Sequence, residues 1–243
     1  MSNYVLAEIP KYIINLVNLK SLDLSENKLR KLPEAITHLT NLEKLLLGDN
    51  QLTEIPESID RLINLTRLNL SKNNFKEIPE PVTHLANLSE LIMLGNQLTE
   101  IPGYITRLNN LTQLNLNDNK LKEIPEHITC LNNLTQLHLS NNQLIEIPAF
   151  ITRLANLTRL NLNNNRLNKF PEYITYLTNL NLLFLSGNHL KKIPESITRL
   201  TNLTVLYLNY NQLKEIPEYI THLSNLNRIY LNENPLENPP IEV

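Results

Sequence analysis

The segment LTQLNLNDNKLKEIPEHITCLNN, Leu111 to Asn133, carries two hydrophobic rhythms within 23 residues. In its first part apolar and polar residues alternate with the period of a strand, so Leu114 and Leu116 point inward while Asn115 between them points to solvent. Asn119 holds both a donor and an acceptor on a short stem, and once buried it can bond backbone groups that a tight bend after the strand leaves unpaired. Ile124 anchors the return. Pro125 is suited to start a short helical turn, where its missing N–H would be orphaned anyway, and Ile128 and Leu131 send the apolar side of that turn inward.

The same phrase recurs in both directions along the chain. Asn27, Asn50, Asn73, Asn96, Asn119, Asn142, Asn165, Asn188, Asn211 and Asn234 fall every 23 residues, and prolines keep the same interval from Pro10 to Pro217. The unit reads L-x-x-L-x-L-x-x-N-x-L-x-x-I-P-x-x-I-x-x-L-x-N. A lone coil of this length cannot bury its leucines, whereas stacked coils share one continuous core, with strands about 4.8 Å apart. Bulkier turns packed opposite the strands force curvature. The expected fold is therefore α/β: a solenoid drawn out as a curved arc, with a parallel sheet on its concave face and short helical turns on its convex face. Residues 1–243 read as a single domain of ten strand-bearing repeats with a partial first coil and no linker.

This phrase resembles a leucine-rich repeat of the 23-residue kind. Its I-P-x-x-I-x-x-L-x-N-L phase is similar to repeats of intracellular Ras-associated leucine-rich proteins, of bacterial repeat proteins, and of the arrays that precede the GTPase domain in Roco proteins. The ending NENPLENPPIEV resembles the N-P-L-x-x-P-P-x-x-[IV] phrase that closes such arrays. The resemblance implies a protein partner, with a small GTPase or a GTPase domain as one class. It also implies an alternative role as the sensing arm of a Roco-like signalling protein whose GTPase domain lies outside this sequence. A structural or surface-adhesive array is a third reading.

Composition narrows the functions. With 22 basic against 24 acidic side chains and a net charge of -2, the chain lacks the broad positive field that nucleic acid or an acidic membrane surface requires. The lone Cys130 cannot close an internal disulfide, and the N-terminal stretch lacks the basic and apolar regions of a signal peptide, so a cytoplasmic location is expected. Gly48, Gly95, Gly103 and Gly187 are spaced so that no phosphate-cradling loop can be written. Neither H-E-x-x-H, nor paired cysteines, nor G-x-S-x-G occurs, and the expectation is a non-enzymatic scaffold with no cofactor and no metal.

Several residues still deserve individual reading. His138 lies between Asn115 and Asn161 in the strand column and reads as a solvated surface histidine. The N-x-[ST] sequons at Asn64, Asn87, Asn110, Asn133, Asn156 and Asn202 arise from the repeat phrase itself. Glu54, Glu77, Glu100, Glu123 and Glu146 form a like-charged column that must be exposed or counter-charged. Arg61, Arg107, Arg153 and Arg199 recur in every second repeat, which points to growth by duplicated pairs.

The solvent side of the strands is the most informative surface. Its central column runs Asp23, Leu46, Asn69, Ile92, Asn115, His138, Asn161, Phe184, Tyr207, Tyr230. The aromatics arrive together, with Tyr210 and Val205 flanking them and Arg228 adding a cation. Phe184, Tyr207, Tyr210, Tyr230 and Arg228 have the composition of a partner-binding hot spot, because such side chains bury much area at small entropic cost. The other reading is that aromatics suit strands and stack on one another.

Overall fold

The computed structural model describes residues 6–237. Tyr4 and Val5 of the partial first coil, and Pro239 and Pro240 of the closing phrase, which lack the N–H a further strand would pair with, lie outside the described residues. The chain forms two compact units, Met1–Lys120 and Leu121–Val243. In the first, β1 (Ser21–Asp23), β2 (Lys44–Leu46), β3 (Arg67–Asn69), β4 (Glu90–Ile92) and β5 (Gln113–Asn115) pair in parallel in chain order. In the second, β6 (Gln136–His138), β7 (Arg159–Asn161), β8 (Leu182–Phe184), β9 (Val205–Tyr207) and β10 (Arg228–Tyr230) do the same. Partners are one repeat apart, so each residue faces its own repeat position on the neighbouring strand.

The return wall is built of five-residue 3-10 helices such as Glu126–Cys130. The expectation had Pro125 start this turn; instead it stands just before the helix in an extended conformation, ψ 154°, and its carbonyl accepts the first helical bond from Ile128 N at 3.2 Å. So short a turn is closed by i to i+3 bonds alone. Threonine reinforces it: Thr129 Oγ1 donates to the Glu126 carbonyl at 2.9 Å, and the bond recurs from Thr37 to Thr221.

The inward positions fall where the alternation puts them. Leu114, Leu116, Ile128 and Leu131 have 0% exposure and Ile124 has 3%. Core burial weakens only where a coil has a neighbour on one side: Ile220, Leu226, Ile229 and Leu231 are half-buried, whereas Ile197, Leu203, Leu206 and Leu208 one repeat earlier are fully buried. At the other end Ile9 is buried and the helix Lys11–Asn15 precedes β1, which makes a partial coil.

The asparagine column forms the expected ladder. Asn165 Nδ2 donates to the carbonyls of Leu139 (2.9 Å) and Leu162 (3.1 Å), while its Oδ1 accepts from Leu144 N at 3.0 Å. One side chain thus closes its own bend and ties it to the preceding repeat. The residue before each ladder asparagine sits in the left-handed region, from Glu26 (φ 57°) to Glu233 (φ 58°), with Gly95 and Gly187 in the same column. At Gly187, φ 65°, an added Cβ would meet Asn164 Oδ1 at 1.9 Å, so the Asn164 side chain would have to turn away before any other residue fitted.

A second ladder went unrecognised in the sequence. Asn64 Nδ2 donates to the Thr40 carbonyl at 3.0 Å and Asn87 Nδ2 to the Ile63 carbonyl at 2.7 Å, and the same 24-residue step recurs at Asn110, Asn156 and Asn202. These sequon asparagines therefore have a structural reason to recur.

Candidate functional site

The in-register parallel sheet sets the geometry of the open strand face. Asn161, Phe184, Tyr207 and Tyr230 occupy one column, each opposite the next. Neighbouring strands are spaced by about 4.8 Å, close to the distance at which aromatic rings stack, so a column of aromatics is drawn into a pile. Phe184 and Tyr207 have ring centroids 4.7 Å apart at an interplanar angle of 9°, and Tyr207 and Tyr230 are 4.4 Å apart at 1°. The rings cover one another's faces and are consequently half-buried. Burial, followed by a hydrogen bond to Tyr230, raises the Tyr207 phenol above its ordinary value of 10.0, and the Arg228 charge pulls the other way.

Leu182 and Val205 lie beside the stack in the adjacent column, in register with one another and with Arg228, and both are half-buried. Phe184, Tyr207 and Tyr230 are thus brought together, with exposed Arg228 close enough for its charge to act on Tyr207. Tyr210 stands apart. It is 61% exposed and sits at φ 53° in the left-handed bend past the end of β9, and no ring contact joins it to the stack among the described residues.

The rest of the face is more sheltered than the alternation implied. Asn119, Asn142 and Asn165 are buried as expected, but Asn115 and Asn161, expected on the solvent side, are half-buried, and so is Asn163 two residues beyond. Their side chains turn back onto the bend: Asn161 Oδ1 accepts from Asn163 N at 3.1 Å, and Asn163 Oδ1 accepts from Ser186 N at 2.7 Å. His138 likewise is not a solvated surface histidine. Burial, and then the Arg159 charge, hold its pKa below 6.5 and favour the neutral ring.

The other candidates resolve locally. Glu54, Glu77, Glu100, Glu123 and Glu146 are all exposed, and Lys31 lies 3.1 Å from Glu54. In the alternating arginine column, Arg107 pairs with Glu80 at 2.7 Å and Arg153 with Glu126 at 2.6 Å, which gives the duplicated pattern a structural use. Cys130 is exposed. Sequence reasoning placed Arg199 in this column but missed its contact: Arg199 lies over the Tyr176 ring, 4.5 Å from its centroid. The signal was Tyr176 itself, the one aromatic in a column that holds His, Arg or Cys in every other repeat after Asn15 of the first coil.

Family comparisons agree with this architecture. A leucine-rich repeat model matches residues 3–123, a two-copy model matches 109–152, 132–175 and 201–240, and a single-repeat model matches 179–200. The chain belongs to the leucine-rich repeat family. Among solved structures it is similar to a leucine-rich repeat protein of Leptospira interrogans, at 35% identity and a TM-score of 0.85 over 96% of this chain and 66% of that one. It is also similar to the functional domain of InlJ from Listeria monocytogenes, at 26% identity and a TM-score of 0.75 over 94% and 47% of the two chains. The plant peptide hormone receptor RGFR1, solved in complex with RGF2, matches at 29% identity and a TM-score of 0.70 over 93% and 42%. This leucine-rich repeat chain thus spans less than two thirds of each of these relatives. No match was found among curated proteins.

Proposed function

We propose that this leucine-rich repeat chain is a non-enzymatic scaffold that binds another protein through the open sheet face of its last three repeats. The observation that carries the reading is the continuous stack of Phe184, Tyr207 and Tyr230, flanked by Leu182 and Val205 and bordered by Arg228. A rigid pile of rings loses little conformational entropy on docking, and an arginine at its margin supplies the polar specificity that hot spots use. The likeness to a receptor solved with its hormone supports a protein partner. The lone Cys130 supports a reducing, cytoplasmic setting.

The test is a quantitative pull-down with the intact protein, followed by titration of each captured partner against point variants. Tyr207→Ala and Tyr230→Ala should each weaken binding by about 2 kcal/mol or more while leaving the melting temperature nearly unchanged. Asn69→Ala, at the same strand position in the polar repeats, should change little. If the tyrosine variants bind as wild type does while Leu46→Ala or Ile92→Ala abolishes binding, the surface lies in the earlier repeats and the proposal fails.

A further inference from the structure

Away from the sheet face, one stretch of the return wall departs from its own repeat at several positions at once, and the other copies serve as internal controls. The column two residues before the repeat proline holds Lys31, then Glu54, Glu77, Glu100, Glu123 and Glu146, and turns basic again at two successive repeats, Lys169 and Lys192, before returning to Glu215. In the same stretch Phe170 replaces the isoleucine that precedes the proline, and Pro171 adopts ψ 89° where every other proline before a described helix lies between 128° and 159°. Tyr104 and Tyr219, at one helix position, donate their hydroxyls inward to the Ile78 and Ile193 carbonyls, whereas Tyr173 at that position is 47% exposed.

These departures line one groove of about 640 Å³, walled by Ile145, Phe170, Tyr173 and Tyr176 and bearing Lys169 and Arg199. A second groove continues it, sharing Lys169, Phe170 and Glu172 and adding Lys191 and Lys192. Arg107 and Arg153 are held by Glu80 and Glu126, but the corresponding Arg199 lies flat on Tyr176 and has no carboxylate or other hydrogen-bond acceptor among the described residues. The Ser196 hydroxyl in the same wall is buried and also lacks a partner among them. A guanidinium resting on an aromatic face keeps its N–H edges free for an anion.

We infer that this groove is a second binding site, distinct from the sheet face, for a peptide segment that carries carboxylates beside apolar or aromatic side chains. Lys169, Lys191, Lys192 and Arg199 outnumber Glu146 and Glu172 around the two grooves, which makes the patch basic on a chain whose net charge is -2. The apolar walls need a ligand with apolar side chains, and a free phosphate has none. The glutamates would oppose a doubly charged group more than single carboxylates.

The test is fluorescence anisotropy with a labelled decapeptide alternating aspartate with leucine and phenylalanine, titrated with the full chain up to about 1 mM. Arg199→Gln, and Lys169→Glu with Lys192→Glu, should each raise its Kd about tenfold or more, in the range of a buried charged contact. The lysine replacements install the residue that other repeats carry, so the fold has precedent for them; unchanged circular dichroism checks this. Tyr207→Ala should leave Kd unchanged, and replacing the peptide's aspartates by asparagine should abolish binding. The inference is overturned if no binding is detected, if the basic-site variants bind as wild type does, if Tyr207→Ala removes the binding, or if phosphatidylserine vesicles bind through Arg199 while the peptide does not.

Discussion

Replacing Asn165 by leucine tests the ladder at one rung, because leucine approximates the shape of asparagine while removing both polar functions. The structure allows the loss to be followed group by group. The Leu139 carbonyl keeps a bond from Asn142 Nδ2 at 3.2 Å, the Leu162 carbonyl keeps one from Asn188 Nδ2 at 2.9 Å, and the Asn163 carbonyl keeps Asn141 N at 2.9 Å. Only the Leu144 N–H, held by Asn165 Oδ1 at 3.0 Å, is left without a partner in a buried place. One orphaned donor costs about 1 to 3 kcal/mol, and at this chain length each kcal/mol lowers the melting temperature by roughly 2 to 4 °C. Urea unfolding should show the loss, and amide hydrogen exchange should show the Leu144 N–H as the least protected of its repeat. Asn161→Leu, on the half-buried face, should cost less than about 1 kcal/mol because its bond to Asn163 N is partly open to water. The reasoning is refuted if Asn165→Leu unfolds like wild type while Asn161→Leu is strongly destabilised.

Glycine to alanine substitutions should rank by local space in urea midpoints. Gly187→Ala, at φ +65° with Asn164 Oδ1 at 1.9 Å from the new Cβ, should lose the most; Gly95→Ala, whose nearest neighbour is Lys72 Cγ at 3.2 Å, should lose about 1 kcal/mol; Gly103→Ala, with nothing within 4 Å, should be neutral or slightly stabilising. A flat series would mean that the left-handed column does not constrain the bend. The pH dependence has a definite sign: since the folded protein holds His138 below its ordinary 6.5, the unfolded chain binds the proton first, so the contribution is complete above that value and is lost as pH falls through the folded pKa. His138→Asn should therefore flatten the acid side of the stability profile, and an unchanged slope would show that the histidine is not shielded.

The sequence by itself determined the period, the inward positions and the asparagine ladder, because each follows from spacing within 23 residues repeated along the chain. Leu114, Leu116, Ile128 and Asn119 needed no knowledge of their neighbours to be placed in the core. It also identified the columns: residues one repeat apart must share a face once coils stack in register. What those columns do was decided only by the tertiary structure, since contacts between stacked coils depend on how side chains lean across the strand spacing. Phe184, Tyr207 and Tyr230 become a ring stack while Tyr210 does not join it, because β9 ends at Tyr207 and the bend turns left-handed. Asn161 and His138 are sheltered by neighbours that alternation alone does not count. Arg199 settles on Tyr176 while its counterpart Arg153 reaches Glu126, a choice between an aromatic face and a carboxylate that identical repeat positions leave open and local packing makes.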